Sequence, residues 1–265
     1  MNDGAPNFCR DFAAEIEKVA DLWFINPLTT DAWQATGKQW GTESQPYEVK
    51  NQNNLRAVAK PGVNRGVDPT RRAANEKIAS DLGYLLNLPL PPIVLWDRGQ
   101  GVNERYASVS AWAFDSAIEW QHKKASLTAE QRAIASQAAG AMQIFDTWIA
   151  AQDRKEDHLL VRDDEHGFRL GLAYIDYAYA VSYEWSNSQV APAGLRAAFP
   201  PDVGVDAETA RQLLLRIQAI EEQAIRDLVN RIPSACFSDE GRIATVDGLL
   251  RRRDELTLSV NGGKG

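Results

Sequence analysis

The amino-acid sequence predicts an α+β fold in which a small antiparallel sheet lobe precedes a mainly helical lobe. Short stretches of alternating apolar and polar residues, typical of strand hairpins, occur at 46–60 and 92–113. From Thr128 onward, apolar residues recur with the three-to-four-residue spacing of helices. The order strand hairpin, helix, strand hairpin, long helix also differs from the regular alternation of a parallel α/β sheet.

Composition narrows the class of protein. Of the 265 residues, 44% are hydrophobic and 25% are charged, which is ordinary for a globular chain. The formal net charge of −7 argues against nucleic acid or an anionic membrane as a partner. Residues 1–25 lack the basic start of a signal peptide, and no apolar run approaches the ~20 residues of a spanning helix. We therefore expect a soluble, cytoplasmic protein.

The first 44 residues are predicted to be a helical extension of the main body. A single helical stripe runs through residues 8–24, formed by Phe12, Ile16, Val19 and Trp23. Residues 25–45 are rich in Thr, Asn, Gln and Trp and predict irregular structure.

Residues 45–113 form the predicted sheet lobe. It contains strands at 46–50 and 55–60, a helix at about 70–87, and strands near 92–97 and 104–113. The polar turn Asn51–Asn54 joins the first two strands. Along the helix, Glu76 falls outside the core stripe, which is Ala74, Ile78, Leu82 and Leu85.

Residues 114–256 form the predicted helical lobe, followed by a flexible tail at 257–265. Thr128 and Gln131 have the spacing of a capping box at the start of a long helix. A strand hairpin around the turn "RDDEHG" follows that helix, with His166 in the turn, and two further helices are predicted at about 206–229 and 240–256.

The stretch "FDTWIAAQDRKEDHLLV" at 145–161 places a charged loop between two buried elements, which is typical of a functional site. The hairpin that follows should return Asp176 to the neighbourhood of Asp153 and His158. Two carboxylates and an imidazole at one point favour a bound divalent metal, because the cation relieves their repulsion. In the alternative interpretation, Asp153 pairs with Arg154 or Lys155 and Asp176 only ends a strand.

Lys60 is the second candidate. It ends the alternating strand "LRAVAK", and Glu76 lies on the helix that follows. A sheet lysine oriented by a helix glutamate is how kinase-type sites hold ATP phosphates. A solvated lysine is the alternative, and Lys50 is a competitor whose strand leads into a turn.

Together these segments resemble the kinase domain of the HipA-like family and, more distantly, phosphoinositide-kinase-like folds. The segments "YEVKNQNNLRAVAKPG", "NEKIASDLGYLLNLPLPP", "QDRKEDHLLV" and "YIDYA" occur in the family's order between about residues 45 and 180. "QDRKEDHLLV" is similar to the family's Asp-Arg-x-x-x-Asn catalytic loop, and "YIDYA" to its metal-binding Asp motif. The resemblance implies a two-lobed protein-kinase-like fold.

The resemblance also implies roles for individual residues. Asp153 would orient or deprotonate the acceptor hydroxyl, Lys60 would contact the ATP phosphates, and Glu76 would hold Lys60. Backbone groups around Val109 and Ala111 would meet the adenine edge. These roles describe an ATP-dependent phosphotransferase acting on a Ser or Thr of a protein substrate, with an antitoxin-like protein as a candidate partner.

The implied metal is Mg²⁺ or Mn²⁺, held by Asp176 and by His158, which stands where the family has Asn. Imidazole suits Mn²⁺ better than Mg²⁺, and Asp157 replaces His158 if the loop shifts by one residue. The turn Asn51–Asn54, expected to cover the phosphates, contains no glycine. These departures from the family pattern leave two alternatives open. One is a pseudokinase that binds nucleotide or a partner without phosphate transfer, and the other is a protein that has the fold but an empty site.

Overall fold

The structure is a computed structural model that describes residues 8, 10–42, 45–61, 69–100, 102, 105–151, 153–162, 170–181, 204–236 and 238–258. Its strands are β1 Leu28–Thr29, β2 Gln34–Gln39, β3 Tyr47–Lys50, β4 Arg56–Lys60, β5 Ile93–Asp97, β6 Tyr106–Ala111, β7 Ala117–Glu119, β8 Leu159–Arg162 and β9 Leu172–Tyr174. Its helices are α1 Ala14–Ile25, α2 Pro69–Leu85, α3 Trp120–Lys123, α4 Ala129–Trp148, α5 Ala207–Gln218, α6 Glu222–Asn230 and α7 Asp239–Glu255.

The first lobe is built on a six-stranded sheet in the order β1-β5-β6-β4-β3-β2. Its neighbours are antiparallel except at one edge, where the short β1 runs parallel to β5. The predicted α+β class is confirmed. The prediction that residues 25–45 are irregular is wrong, because β1 and β2 complete both edges of the sheet.

The two faces of this sheet have different partners. Ala57, Ala59 and Val109 lie in one buried cluster with Ile16 and Trp23 of α1. Leu95 and Tyr106 point the other way and belong to the cluster formed around α2. Side chains alternate between faces along a strand. Lys60 follows Ala59, so its side chain lies on the α2 face.

The second lobe is organised around α4. The predicted capping box of Thr128 and Gln131 is confirmed at the start of this helix. Helix α5 crosses α4 closely at Gly140, where a Cβ would lie 2.4 Å from the Asp206 carbonyl oxygen. Among the described residues, no helix is long and apolar enough to cross a membrane.

Two details of the helix prediction are corrected. The predicted helix at 206–229 is two helices, α5 and α6, which break at residues 219–221. In α2, Leu85 is 37% exposed and Leu86 takes the buried position instead. The predicted turn with His166 and most of the predicted tail lie outside the described residues.

Candidate active site

Three predicted charges meet between the sheet and α2. The Lys60 ammonium lies 2.7 Å from Glu76 Oε1 and 3.2 Å from Asp176 Oδ1. The Glu76 side chain is almost fully buried, whereas 31% of the Asp176 side chain is exposed. Lys60 therefore bridges a carboxylate of the first lobe and a carboxylate of the second.

Local structure explains this convergence. Lys60 ends β4 on the face that α2 covers, opposite Ser108 of β6. Glu76 projects from a helix that is buried along most of its length. Its neighbour Asn75 anchors α2 to the second lobe, since the Asn75 side-chain amide donates to the Ala178 carbonyl at 2.9 Å.

The pKa values follow from burial and from these contacts. Burial alone would lower the pKa of Lys60, but the Asp176 and Glu76 carboxylates outweigh it and raise that pKa. Burial would raise the pKa of Asp176, yet Lys60 and His158 lower it to about 2. Burial raises the pKa of Glu76, with Asp176 adding to the rise and Lys60 opposing it. The group thus holds one cation between two carboxylates.

Asp176 adopts an unusual backbone conformation. Its φ is 67°, in the left-handed region that few residues other than glycine adopt. Asp176 is the second residue after β9, and its carboxylate lies 3.2 Å from the Lys60 ammonium.

His158 completes the cluster. Its Nε2 atom lies 3.4 Å from Asp176 Oδ2, and its carbonyl accepts a hydrogen bond from the Ile175 amide at 2.9 Å. Its Nδ1 atom is buried with no hydrogen-bond partner among the described residues. Burial is the main cause that lowers the pKa of His158. The imidazole is thus neutral near pH 7 and able to bind a metal.

The donor set fits a divalent metal only in part. Among the described residues, no group of three or more His, Cys, Asp or Glu side chains is arranged to hold a metal ion. His158 and Asp176 supply two donors. Metals of nucleotide-dependent enzymes are commonly held by one or two carboxylates and completed by phosphate oxygens and water. A metal at this position would therefore need further ligands from water or from a bound molecule.

Asp153 lies apart from this cluster. It pairs with Lys155 at 2.9 Å, and both side chains are about half exposed. The structure thus shows the ion pair with Lys155 that the alternative interpretation predicted. The Asp153 carboxylate is thus accessible to solvent.

Arg154 is a positioning residue that sequence reasoning did not find. Its side chain is 3% exposed and pairs with Asp146 at 3.1 Å. The same guanidinium donates to the carbonyls of Ile175 and Asp176 at 2.7 and 3.1 Å, and it lies over the Tyr177 ring. It therefore ties the charged loop to the backbone that carries Asp176. The available signal was Asp146, a carboxylate in the apolar end of α4.

Val109 and Ala111 lie in β6, between β4 and β5. The Ala111 amide donates to the Pro92 carbonyl at 2.9 Å, and the Trp112 amide donates to the Arg56 carbonyl at 3.0 Å. Those two amides are engaged within the lobe. The proposed contact with an adenine edge stays a prediction that requires other backbone groups near the end of β6.

The predicted phosphate-covering turn is wrong. Tyr47 lies opposite Ala59 and Lys50 lies opposite Arg56, so the turn Asn51–Asn54 is at the end of β4 remote from Lys60. The connection between β2 and β3 is at the Lys60 end, because Gln39 lies opposite Tyr47. That connection contains Gly41. The sequence pattern does not show β2, because all six of its residues are exposed.

A narrow cleft of about 20 Å³ opens beside these residues. The cleft is lined by residues of both lobes: Lys60, Glu76 and Ser110 of the first, and Ile175 and Asp176 of the second. Sheet, helix and second lobe thus meet at one concave site with charged groups in its lining.

Comparison with known proteins defines the class of fold. No family model matches the chain, and no curated protein matches it. The proinflammatory kinase CtkA of Helicobacter pylori superposes with a TM-score of 0.60 at 13% identity, covering 86% of this chain and 94% of CtkA. The Golgi casein kinase with Mn and ADP bound gives a TM-score of 0.57 at 11% identity, covering 93% of this chain and 77% of that one.

These similarities show that the chain has a two-lobed protein-kinase-like fold. The predicted fold class is therefore confirmed. A shared fold does not fix an activity, so function has to be argued from the site.

Proposed function

We propose that this chain is an ATP-dependent phosphotransferase of HipA-like type that phosphorylates a Ser or Thr on a protein. The observation that carries the proposal is the bridge from Lys60 to Glu76 and Asp176 inside the interlobe cleft. Phosphoryl transfer depends mainly on positioning and on neutralising phosphate charge. This site provides a held cation and a metal-attracting carboxylate for those two tasks. An antitoxin-like protein is the candidate partner.

Each residue has a defined part in this proposal. Lys60, oriented by Glu76, donates to phosphate oxygens of the nucleotide. Asp176 and His158 hold the divalent metal, which when bound neutralises the charge on the phosphates. Asp153 leaves its partner Lys155, orients the acceptor hydroxyl and accepts its proton.

A nucleotide-binding module without transfer is the second candidate. Two observations favour it. Lys155 pairs with the Asp153 carboxylate that is proposed as the base, and among the described residues only His158 and Asp176 are proposed as metal donors. Both candidates require nucleotide binding, so phosphate transfer distinguishes them.

The test of nucleotide binding is thermal unfolding with ATP and either Mg²⁺ or Mn²⁺. A ligand present at a hundred times its Kd stabilises the folded state by ~2.7 kcal/mol, which we expect as a clear rise in Tm. Incubation with γ-labelled ATP then reports transfer. No rise at millimolar ATP with either metal would eliminate both candidates, and a rise without label transfer would favour the binding module.

Metal preference tests the part assigned to His158. We expect Mn²⁺ to raise Tm with ATP more than Mg²⁺ does, because a nitrogen donor suits the softer ion. His158→Asn should reverse this preference by supplying an oxygen donor. Substitution of the exposed His122, whose side chain is 70% exposed, is the matched control and should change nothing. An unaltered preference in His158→Asn would remove His158 from the metal site.

A further inference from the structure

The C-terminal end of α1 is held by cations from both lobes. The last carbonyls of a helix lack partners within the helix, and α1 has no basic residue in its last turn. Lys77 of α2 donates to the Trp23 carbonyl at 2.9 Å. Arg231, just after α6, donates to the Phe24 carbonyl at 2.6 Å. The end of α1 therefore connects α2 to the second lobe.

Lys77 is an unusual residue for this purpose. Its side chain is fully buried and forms an ion pair at 2.5 Å with Asp81, one turn further along α2. The second Asp81 oxygen is buried with no partner among the described residues. A buried ion pair commonly stabilises no more than apolar residues of similar size would. Its presence here therefore points to placement of α2 rather than to stability alone.

Aromatic contacts also hold α2 against the C-terminal end of α1. The rings of Phe24 and Tyr84 have centroids 4.7 Å apart, and the Tyr84 hydroxyl donates to Asp21. The Arg231 guanidinium lies over the Phe24 ring at 4.4 Å. Helix α2 thus meets α1 at two points about two turns apart, through Lys77 and through Tyr84.

Glu76 and Lys77 are consecutive residues that point to different partners. Glu76 contacts Lys60 at 2.7 Å beside the cleft, while Lys77 contacts the Trp23 carbonyl of α1. Because a helix moves as a rigid unit, a shift of α2 against α1 displaces Glu76 by a similar amount. A displacement of about 1 Å would break the contact with Lys60, since hydrogen bonds weaken steeply beyond ~3.2 Å.

We infer that Lys77 is a positioning residue that docks α2 on the end of α1 and thereby sets the contact between Glu76 and Lys60. Residues of the N-terminal helix are in this way part of the active-site architecture without touching the cleft. The consequence for nucleotide affinity rests on the proposed function. The geometric coupling between Lys77 and Lys60 does not.

A double-mutant cycle tests the coupling without any ligand. Thermal unfolding is compared for the wild type, Lys60→Met, Lys77→Met and the double variant. We expect the loss of Tm in the double variant to be clearly smaller than the sum of the single losses, because Lys77→Met already separates Glu76 from Lys60. Additive losses would overturn the inference. Val246→Ala, a buried change in α7, is the matched control and should be additive with Lys60→Met.

A second variant and a binding measurement complete the design. If Lys77→Met does not fold, Arg231→Gln takes its place in the cycle. Additive losses would again overturn the inference, whereas a smaller coupling of the same sign would support the inference. With ATP and metal, Lys77→Met should bind about tenfold more weakly, corresponding to a lost hydrogen bond to a charged group, while Val246→Ala should bind as the wild type does. Equal affinities in Lys77→Met and the wild type would also overturn it. If the wild type binds no nucleotide, the proposed function fails and the cycle alone decides the inference.

Discussion

Lys60→Met should remove most of the Tm increase that ATP and metal give the wild-type protein. Lys60 is the cation that bridges Glu76 and Asp176 in the cleft, and it is 15% exposed. A hydrogen bond to a charged group contributes about 1.5–3 kcal/mol. We therefore expect ATP to bind roughly ten- to a hundredfold more weakly, measured by ligand-dependent thermal unfolding.

Lys50→Met is the matched control. Lys50 is exposed on β3 and lies opposite Arg56, at the end of β4 remote from Lys60. It should retain the full nucleotide effect. If both variants respond to ATP as the wild type does, or if Lys50→Met is the one that loses the response, Lys60 is not the phosphate-binding lysine.

Lys60→Met should also have a stability defect that depends on pH. Burial and Asp176 raise the pKa of Glu76 above its ordinary 4.5, and Lys60 opposes that rise. Removing Lys60 raises the pKa of Glu76 in the folded state further, so the folded state binds this proton still more tightly than the unfolded state does. The apo variant should then lose stability as pH increases through the raised pKa, so its Tm deficit should be larger at about pH 8 than at about pH 5. A pH-independent deficit would contradict this account.

The site was largely predictable because its residues occupy positions of strong pattern. Lys60 ends an alternating strand, Glu76 falls off the apolar stripe of α2, and Asp176 follows a short apolar strand. Strand alternation and hairpin return then bring the three together. The roles assigned to these residues are untested predictions, as is the affiliation with the HipA-like family.

The failures have equally local causes. Every residue of β2 is exposed, so the strand shows no apolar alternation and its neighbours were interpreted as irregular. When β2 is not recognised, Asn51–Asn54 is the only turn of the predicted hairpin, and the sequence predicts it as the phosphate-covering turn. The break between α5 and α6 has neither Gly nor Pro to mark it. Arg154 was missed because its partners, Asp146 and the carbonyls of residues 175 and 176, are set by tertiary structure.

Asp153→Asn should abolish phosphate transfer while leaving nucleotide binding intact. Asp153 lies outside the Lys60 cluster, pairs with Lys155 and has 43% of its side chain exposed. In the proposed mechanism it acts on the acceptor, so its substitution leaves the phosphate-binding groups in place. Loss of a group that orients and deprotonates the acceptor costs ~10²–10⁴-fold in rate, measured as transfer of label from γ-labelled ATP. The Tm increase with ATP and metal should match that of the wild type.

Two neighbouring variants make this result specific to Asp153. Lys155→Met frees the Asp153 carboxylate and should retain transfer, because the ion pair is not needed once an acceptor is bound. Asp157→Asn changes a carboxylate of the same loop whose side chain is 50% exposed and lies 3.7 Å from His158. If Asp157→Asn loses transfer and Asp153→Asn keeps it, Asp157 and not Asp153 is the residue that orients the acceptor hydroxyl. Undiminished transfer in both variants would exclude this loop as the source of the base.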